Sequence, residues 1–269
     1  MTQVREAAVA GLFYPADAGE LSETVRSMLS NGQAAGSAPR ALIVPHAGYV
    51  YSGPVAAAAY ARLIPFADRY RKVVLLGPCH RVPLSGLATC PADVFRTPLG
   101  DVPLEKALIA SLKLPSVAVS TEAHRLEHSL EVQLPFLQTV LDEFTLFPLV
   151  VGDTAPETVA DVIDELWNET GTLFVVSSDL SHYLRYADAR RRDRATCNAI
   201  EQLESARISH ADACGAAAVS GLLIVARRRG LNARTLDLRN SGDTAGGREQ
   251  VVGYGSWLFE EGKSCDLAA

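Results

Sequence analysis

Residues 41–48 have the sequence ALIVPHAG, and residues 73–80 have the sequence VVLLGPCH. In each stretch, four consecutive apolar residues are followed closely by a proline and a histidine. Continuous rather than alternating apolar residues are typical of a strand buried on both faces, as in a parallel sheet covered by helices. The two stretches therefore predict strands of an α/β fold, with His46 and His80 just beyond their carboxyl ends.

The rest of the chain continues this alternation of strands and helices. Two further apolar runs cover residues 144–151 and 172–176, and helical patterns cover residues 20–29, 55–63, 104–112, 130–141, 156–167, 189–204 and 216–229. Near the C-terminus, residues 233–238 and 251–259 form two predicted strands joined by a glycine-rich loop. We therefore expect a single α/β domain over residues 1–269, with a central, largely parallel mixed sheet flanked by helices.

The composition disfavours several classes of function. Lysine and arginine total 25 while aspartate and glutamate total 31, which gives a net charge of −6. Binding to nucleic acids or anionic membranes depends on clustered cations, so neither partner is expected. The longest mostly apolar run covers residues 214–226, which is shorter than the roughly 20 residues of a membrane-spanning helix. Five scattered cysteines indicate a reducing, cytoplasmic environment rather than a disulfide framework.

Two runs of three arginines occur in predicted helices, at residues 190–192 and 227–229. We interpret the first as a solvated helix face. The second lies at a helix C-terminus, where cations complement the helix dipole. Given the acidic total, neither run predicts nucleic-acid binding.

Three histidines follow predicted apolar strands, namely His46, His80 and His182. In open α/β sheets, ligands bind at the carboxyl edge of the strands, so these imidazoles are expected to meet in one crevice. Imidazole is a common transition-metal ligand and a general base near neutral pH. Three unrelated loop histidines are the alternative.

Cys214 precedes the apolar helix that begins near Ala216. The dipole at a helix N-terminus favours a thiolate, which is the form that binds metals or attacks electrophiles. A buried packing cysteine is the alternative. Cys79 adjoins His80 and is a candidate for lining the same site.

His124, Glu127 and His128 match the spacing H-x-x-E-H, in which two histidines bind zinc and a glutamate acts on water. Five residues with two free positions match often by chance. Glu127 is equally suited to begin a helix, because an acidic side chain stabilises the positive end of the dipole. A zinc peptidase is therefore the least favoured of the candidate functions.

Taken together, five ordered motifs closely resemble the Memo family, known in bacteria and archaea as AmmeMemoRadiSam system protein B. The motifs are PHAGY (45–49), GPCH (77–80), EHSLE (127–131), SSDLSH (177–182) and CG (214–215). The resemblance extends to the opening residues 5–15 and to residues 241–243 and 252–254, so it covers nearly the whole chain.

The resemblance implies a fold similar to the catalytic subunit of class III extradiol dioxygenases. It also implies a metal site of two histidines and one cysteine, which fall on His46, His80 and Cys214. His182 occupies the place of the dioxygenase acid–base histidine, and Asp179 is its neighbour in the pocket. Iron and copper are the metals that the resemblance favours, and zinc also suits two imidazoles and a thiolate.

The sequence therefore predicts a metal-dependent protein of the redox or oxygenase type, with His182 as acid–base tuned by Asp179. Glu127 and His128 are expected to line the pocket or to support the ligands. The partner is expected to be a small molecule or peptide, and the resemblance implies association with a radical-SAM protein and an AMMECR-type protein. A metal-handling or peptide-binding module without turnover, using the same cleft, is the alternative function.

Overall fold

The computed structural model describes residues 2–30, 36–106 and 115–262. Its strands are β1 (Val4–Arg5), β2 (Ala41–Val44), β3 (Lys72–Pro78), β4 (Leu87–Thr89), β5 (Val94–Thr97), β6 (Gly100–Pro103), β7 (Val117–Val119), β8 (Thr145–Val151), β9 (Thr172–Ser177), β10 (His182–Leu184), β11 (Leu231–Asn240) and β12 (Val251–Glu261). Its α-helices are α1 (Ala18–Leu29), α2 (Tyr49–Tyr60), α3 (Thr121–Arg125), α4 (Leu134–Val140), α5 (Pro156–Leu166), α6 (Tyr186–Glu201) and α7 (Ala216–Arg228).

The main sheet has the strand order β10-β12-β2-β9-β3-β8-β4-β7, and β11 pairs with the outer side of β12. Its centre is parallel, because β2 pairs with β9, β9 with β3, and β3 with β8 in the same direction. The joins from β2 to β12 and from β8 to β4 are antiparallel. This arrangement confirms the predicted α/β class with a largely parallel mixed sheet, and it is consistent with an extradiol dioxygenase-like fold.

Both faces of the central strands are buried, as their continuous apolar sequences require. Along β2, Leu42 and Val44 pack into the apolar core on the side of α1, α2 and α4. Ala41 and Ile43 pack into the core on the opposite side, with α5 and α7. Successive residues of a strand point to opposite faces, so only an unbroken apolar run can supply both cores.

The C-terminal strands β11 and β12 form the predicted antiparallel pair. A small separate sheet of β1, β5 and β6 was not evident from the sequence. The helix predicted over residues 104–112 lies mostly outside the described residues. No helix in the described ranges is long and apolar enough to cross a membrane.

Three helix predictions were wrong at their boundaries, and the helix predicted over residues 189–204 begins and ends three residues earlier, at Tyr186 and Glu201. The helix predicted over residues 130–141 is divided into a 3-10 turn, Glu131–Gln133, and α4. Pro135 lies in the first turn of α4, the one part of a helix where its missing N–H costs nothing. The helix predicted over residues 55–63 begins earlier, at Tyr49, and runs through Pro54.

Candidate metal centre

His46 and His80 lie close together at the carboxyl edge of the sheet, as predicted. His46 lies two residues beyond β2, and His80 lies two residues beyond β3. Because only β9 separates these parallel strands, both chains leave the sheet at the same edge. The centroids of the two imidazole rings are 5.3 Å apart.

His128 completes a group of three imidazoles. Its ring lies 5.5 Å from that of His46 and 4.9 Å from that of His80, between centroids. One potential ligand atom from each of the three side chains lies within 4.8 Å of the other two. The sequence assigned His128 only a supporting place, whereas the structure places it beside the two strand-end histidines.

The hydrogen bonds of the rings determine which nitrogens face a ligand. Nδ1 of His46 is 2.9 Å from Oγ of Ser177, and Nδ1 of His80 is 2.9 Å from Oε1 of Glu127. A carboxylate only accepts, so Nδ1 of His80 carries the proton and Nε2 presents a lone pair. A histidine held by a carboxylate in this way is typical of metal sites, where the bond sets the tautomer and orientation of the ring.

Glu127 organises the turn that carries His128. It is buried, and its carboxylate accepts hydrogen bonds from the backbone N–H groups of His80 (2.5 Å), His128 (3.0 Å) and Ser129 (2.9 Å), besides the bond to the His80 ring. Burial alone would raise the pKa of Glu127, but the hydrogen bond and charge of His80 and the N–H donors lower it to about 2. Glu127 therefore supports the site, as expected, through His80.

A buried ion pair ties this turn to the N-terminal segment. Arg5 pairs with Glu131, and its other guanidinium nitrogens donate to the backbone oxygens of His124 (3.0 Å) and Glu127 (2.5 Å). Glu131 also accepts from the hydroxyl of Tyr14 at 2.6 Å. The position of His128 therefore depends on residues more than a hundred positions earlier in the chain.

Cys214 lies beside His46. Its Sγ is 3.3 Å from Nε2 of His46 and accepts from the backbone N–H of Asp179 at 3.3 Å. The sequence predicted a thiolate favoured by the helix dipole, but the burial of the sulfur opposes it. Burial, followed by the charge of Asp179, raises the pKa of Cys214 to about 12.

Asp179 contacts a different histidine from the one expected. Its Oδ1 accepts from the backbone N–H of His46 at 2.7 Å, whereas Nδ1 of His182 is bonded to the carbonyl of Leu180 at 2.8 Å. Burial raises the pKa of Asp179 to about 7. Asp179 therefore orients His46 rather than His182.

His182 is the first residue of β10 and is exposed, outside the group of three imidazoles. Burial of part of its ring lowers its pKa, and the charge of His80 acts in the same direction. The next residue, Tyr183, is 70% exposed and has a φ of +58°, which is rare for a side chain of this size.

The spacing His124–Glu127–His128 does not form a peptidase site. His124 is buried, with Nε2 bonded to the carbonyl of Ala88 at 2.9 Å and its ring edge against Phe95. Glu127 is occupied by the N–H groups of the turn. The zinc peptidase interpretation is therefore not supported.

A cleft of about 650 Å³ leads to the site and is lined by both His80 and Cys214. Cys79 lines it too, as predicted, and its thiol donates to the carbonyl of Val82 at 3.3 Å. Asp153 and His210 also line this cleft, and sequence reasoning missed both. Asp153 follows the carboxyl end of β8, which is the same signal that identified His46, while His210 follows no strand.

The electrostatics of the group keep the rings of His46 and His128 neutral. Burial, followed by the proximity of His80 and His128, lowers the pKa of His46 well below its ordinary value. Burial lowers the pKa of His128 to about 4, and its buried Nδ1 lies 3.4 Å from Oε1 of Glu127 without a hydrogen bond to any residue that the structure describes. Neutral imidazoles with free lone pairs, beside a thiol, form a donor set that suits copper, zinc or iron.

Comparisons with known proteins find similar sequences along most of the chain. A profile of the family described as "Memo-like protein" matches residues 5–258. A MEMO1 family protein of Aquifex aeolicus is 37% identical, covering 96% of this chain and 99% of that protein. One of Methanosarcina barkeri is 36% identical, covering 96% and 100%. The crystal structure of an uncharacterized protein from Escherichia coli K12 superimposes with a TM-score of 0.52 at 13% identity, covering 81% of this chain and 98% of that one, which shows similarity of fold alone.

Proposed function

We propose that this chain, which belongs to the Memo-like protein family, is a metal-dependent protein of the redox or oxygenase type whose metal is held by His46, His80 and Cys214. The observation that carries the proposal is the convergence of three imidazoles within 4.8 Å, with the Cys214 sulfur 3.3 Å from Nε2 of His46. His128 belongs to this group of three, whereas Cys214 lies outside it, next to His46.

The hydrogen bonds of the site fit this assignment. Ser177 and Glu127 take up Nδ1 of His46 and His80, which leaves both Nε2 atoms for a ligand. Within the described ranges, Nδ1 of His128 is a buried polar atom that forms no hydrogen bond, and a bound ligand would stabilise it. Metal binding would displace the Cys214 proton, because a bound cation offsets the burial that now disfavours the thiolate.

A redox-active metal, iron or copper, would supply electron transfer or oxygen activation, whereas zinc would supply only Lewis acidity. The cleft of about 650 Å³ beside His80 and Cys214 supports access of an outside molecule to the metal. Its volume is in the range of small-molecule sites.

His182 is proposed as the acid–base residue. Its Nδ1 is bonded to the carbonyl of Leu180, which fixes the ring as the tautomer with a proton on Nδ1 and leaves Nε2 to exchange a proton. Its lowered pKa favours the neutral, proton-accepting form at pH 7. Asp179 acts on the metal site instead, through the backbone of His46.

The test is anaerobic titration of the apoprotein with Fe(II), Cu(I) and Zn(II), followed by elemental analysis. His46→Ala, His80→Ala and Cys214→Ala are expected to lower the affinity at least tenfold each. His210→Ala is the matched control, because His210 lines the same cleft outside the imidazole group. Unchanged stoichiometry and affinity in all three site variants would refute the proposal.

Two spectroscopic measurements separate the finer alternatives. Thiolate-to-metal charge-transfer bands of the Co(II)-loaded protein should persist in Cys79→Ser and vanish in Cys214→Ser. If Cys214→Ser retains these bands, Cys214 is not a ligand. Nitric oxide binding to the Fe(II) protein, followed by electron paramagnetic resonance, reports an open coordination position, and its absence would favour the metal-handling module without turnover.

A further inference from the structure

A second cavity, of about 690 Å³, lies between α6 and the end of β11. One wall is the exposed face of α6, and the other is formed by the last residues of β11 and the 3-10 turn Ser241–Asp243. We call this cavity the arginine groove, because the charged and aromatic residues that line it include Tyr186, Arg190, Arg191, Arg194, Arg239 and Asp243. The residues of the metal centre lie outside it.

The helical repeat explains how α6 builds this wall. Tyr186, Arg190 and Arg194 are spaced four residues apart, so they lie along one face of the helix. Other positions of α6, such as Cys197 and Ile200, are fully buried in the core. The sequence predicted that the arginine run 190–192 is a solvated helix face. Arg190 and Arg191 instead line the cavity, and Arg192 does not.

Ion pairs account for only part of the positive charge. Arg191 pairs with Asp188 at 2.7 Å, and Arg239 pairs with Asp237 at 2.6 Å. Within the described ranges, Arg190 has no carboxylate partner.

The same holds for two more arginines of this region. Neither Arg194 nor Arg248 forms an ion pair among the residues that the structure describes. The guanidinium of Arg248 lies 4.5 Å from the ring centroid of Tyr186, and that of Arg190 lies 5.7 Å from it. Arg190 and Arg194 thus line the cavity without ion pairs, and Arg248 lies beside it against the ring of Tyr186.

Two acidic residues also line the groove, and neither neutralises these arginines. Asp243 accepts a hydrogen bond from the hydroxyl of Tyr186 at 2.5 Å. Asp193 is buried, and its Oδ1 accepts from the backbone N–H of Ser181 at 3.1 Å. Four arginines and two aspartates line the groove, so in a chain with a net charge of −6 its local charge is positive and favours an anionic ligand.

We propose that the arginine groove binds a small polyanion that carries two or more phosphate groups. Guanidinium is planar and presents paired N–H donors that match phosphate oxygens. Residues spaced four apart on a helix have Cβ atoms about 5–6 Å apart, so Arg190 and Arg194 are close enough to contact neighbouring phosphate groups of one ligand. The volume of the cavity is in the range of small-molecule binding sites.

The test is isothermal titration calorimetry of the metal-free protein with inorganic tripolyphosphate at low and at physiological salt. We expect one equivalent to bind, with an affinity that falls several-fold between about 50 and 200 mM salt because the contacts are ionic. The double variant Arg190→Ala/Arg194→Ala should bind at least tenfold more weakly.

The matched control is Arg26→Ala/Arg207→Ala, which removes the same charge from two exposed sites outside the groove. It should change the affinity less than twofold. Citrate, titrated in parallel, should bind at least tenfold more weakly than tripolyphosphate if phosphate is the preferred group.

Three results would overturn the proposal. The first is equal affinity in the groove variant and the wild type. The second is an equal loss in the control variant, which would indicate attraction to total charge rather than to the groove. The third is citrate binding as tight as that of tripolyphosphate. Circular dichroism of both double variants verifies that any loss of binding occurs in folded protein.

Discussion

Replacing Glu127 by glutamine tests whether the buried carboxylate positions the metal centre. The side chain keeps its shape but loses its charge and one of its two acceptor oxygens. The carboxylate accepts four hydrogen bonds, two of them from His80. An amide cannot accept at both ends, so in Glu127→Gln at least one buried N–H faces another donor.

The expected loss of folding stability follows from the pKa of Glu127. Glu127 has an ordinary pKa of 4.5, which falls to about 2 in the folded protein. A lowered carboxyl pKa stabilises the folded state at pH values above about 4.5, and the stabilisation is lost as the pH falls through about 2. The difference corresponds to about 3 kcal/mol at pH 7. For a chain of this length, such a loss lowers the Tm by about 6–12 °C.

The assay combines thermal unfolding of the metal-free protein with metal titration. Glu127→Gln should lower the Tm by the amount above at pH 7 and weaken metal binding about 10- to 100-fold, as for other residues that orient a ligand. Glu122→Gln is the control, because Glu122 is exposed and pairs only with Arg125, and it should change the stability by less than about 1 kcal/mol. A folded Glu127→Gln protein with wild-type metal affinity would refute the positioning role.

Further substitutions test the framework around the site. Arg5→Met removes the partner of a buried carboxylate and should destabilise the protein by about 3–5 kcal/mol in urea unfolding. Gly253→Ala places a Cβ against the carboxylate of Asp193 and should lower the Tm markedly, whereas Gly247→Ala, which meets nothing within 4 Å, should not. Because burial raises the pKa of Asp179 from 3.8 to about 7, its contribution to stability is full below about pH 4 and is lost as the pH rises through about 7. Asp179→Asn should therefore flatten this part of the pH–stability curve, and a curve identical to that of the wild type would contradict the assigned pKa.

Much of the fold could be predicted, because the central strands carry their pattern locally. Apolar runs that supply two cores are recognisable without knowledge of their neighbours, as β2, β3, β8 and β9 illustrate. The ends of β2 and β3 also predicted where His46 and His80 meet, because parallel strands end at the same edge of the sheet. The short strands β1, β5 and β6 could not be predicted, because their sequences mix polar and apolar residues and lack the continuous apolar run that identifies β2.

The place of His128 could not be predicted for a different reason. It lies in a turn rather than at a strand end, and that turn is held by contacts with Arg5 and with the N-terminal segment. Such contacts depend on the completed fold and leave no local spacing in the sequence. The thiol of Cys214 shows the same limit, since the helix dipole can be inferred from sequence but the burial that outweighs it cannot.

The packing that lowers the imidazole pKa values is also what prepares the site for a cation. A proton on one ring of His46, His80 or His128 would repel a proton on the others, so the group as a whole resists protonation. A single metal ion instead binds a lone pair of each ring, so no ring has to carry a positive charge of its own. Hydrogen bonds to Ser177 and Glu127 hold the rings of His46 and His80 in place. Metal affinity should therefore fall as the pH drops towards the lowered pKa values, and less steeply than for exposed histidines with ordinary pKa values near 6.5.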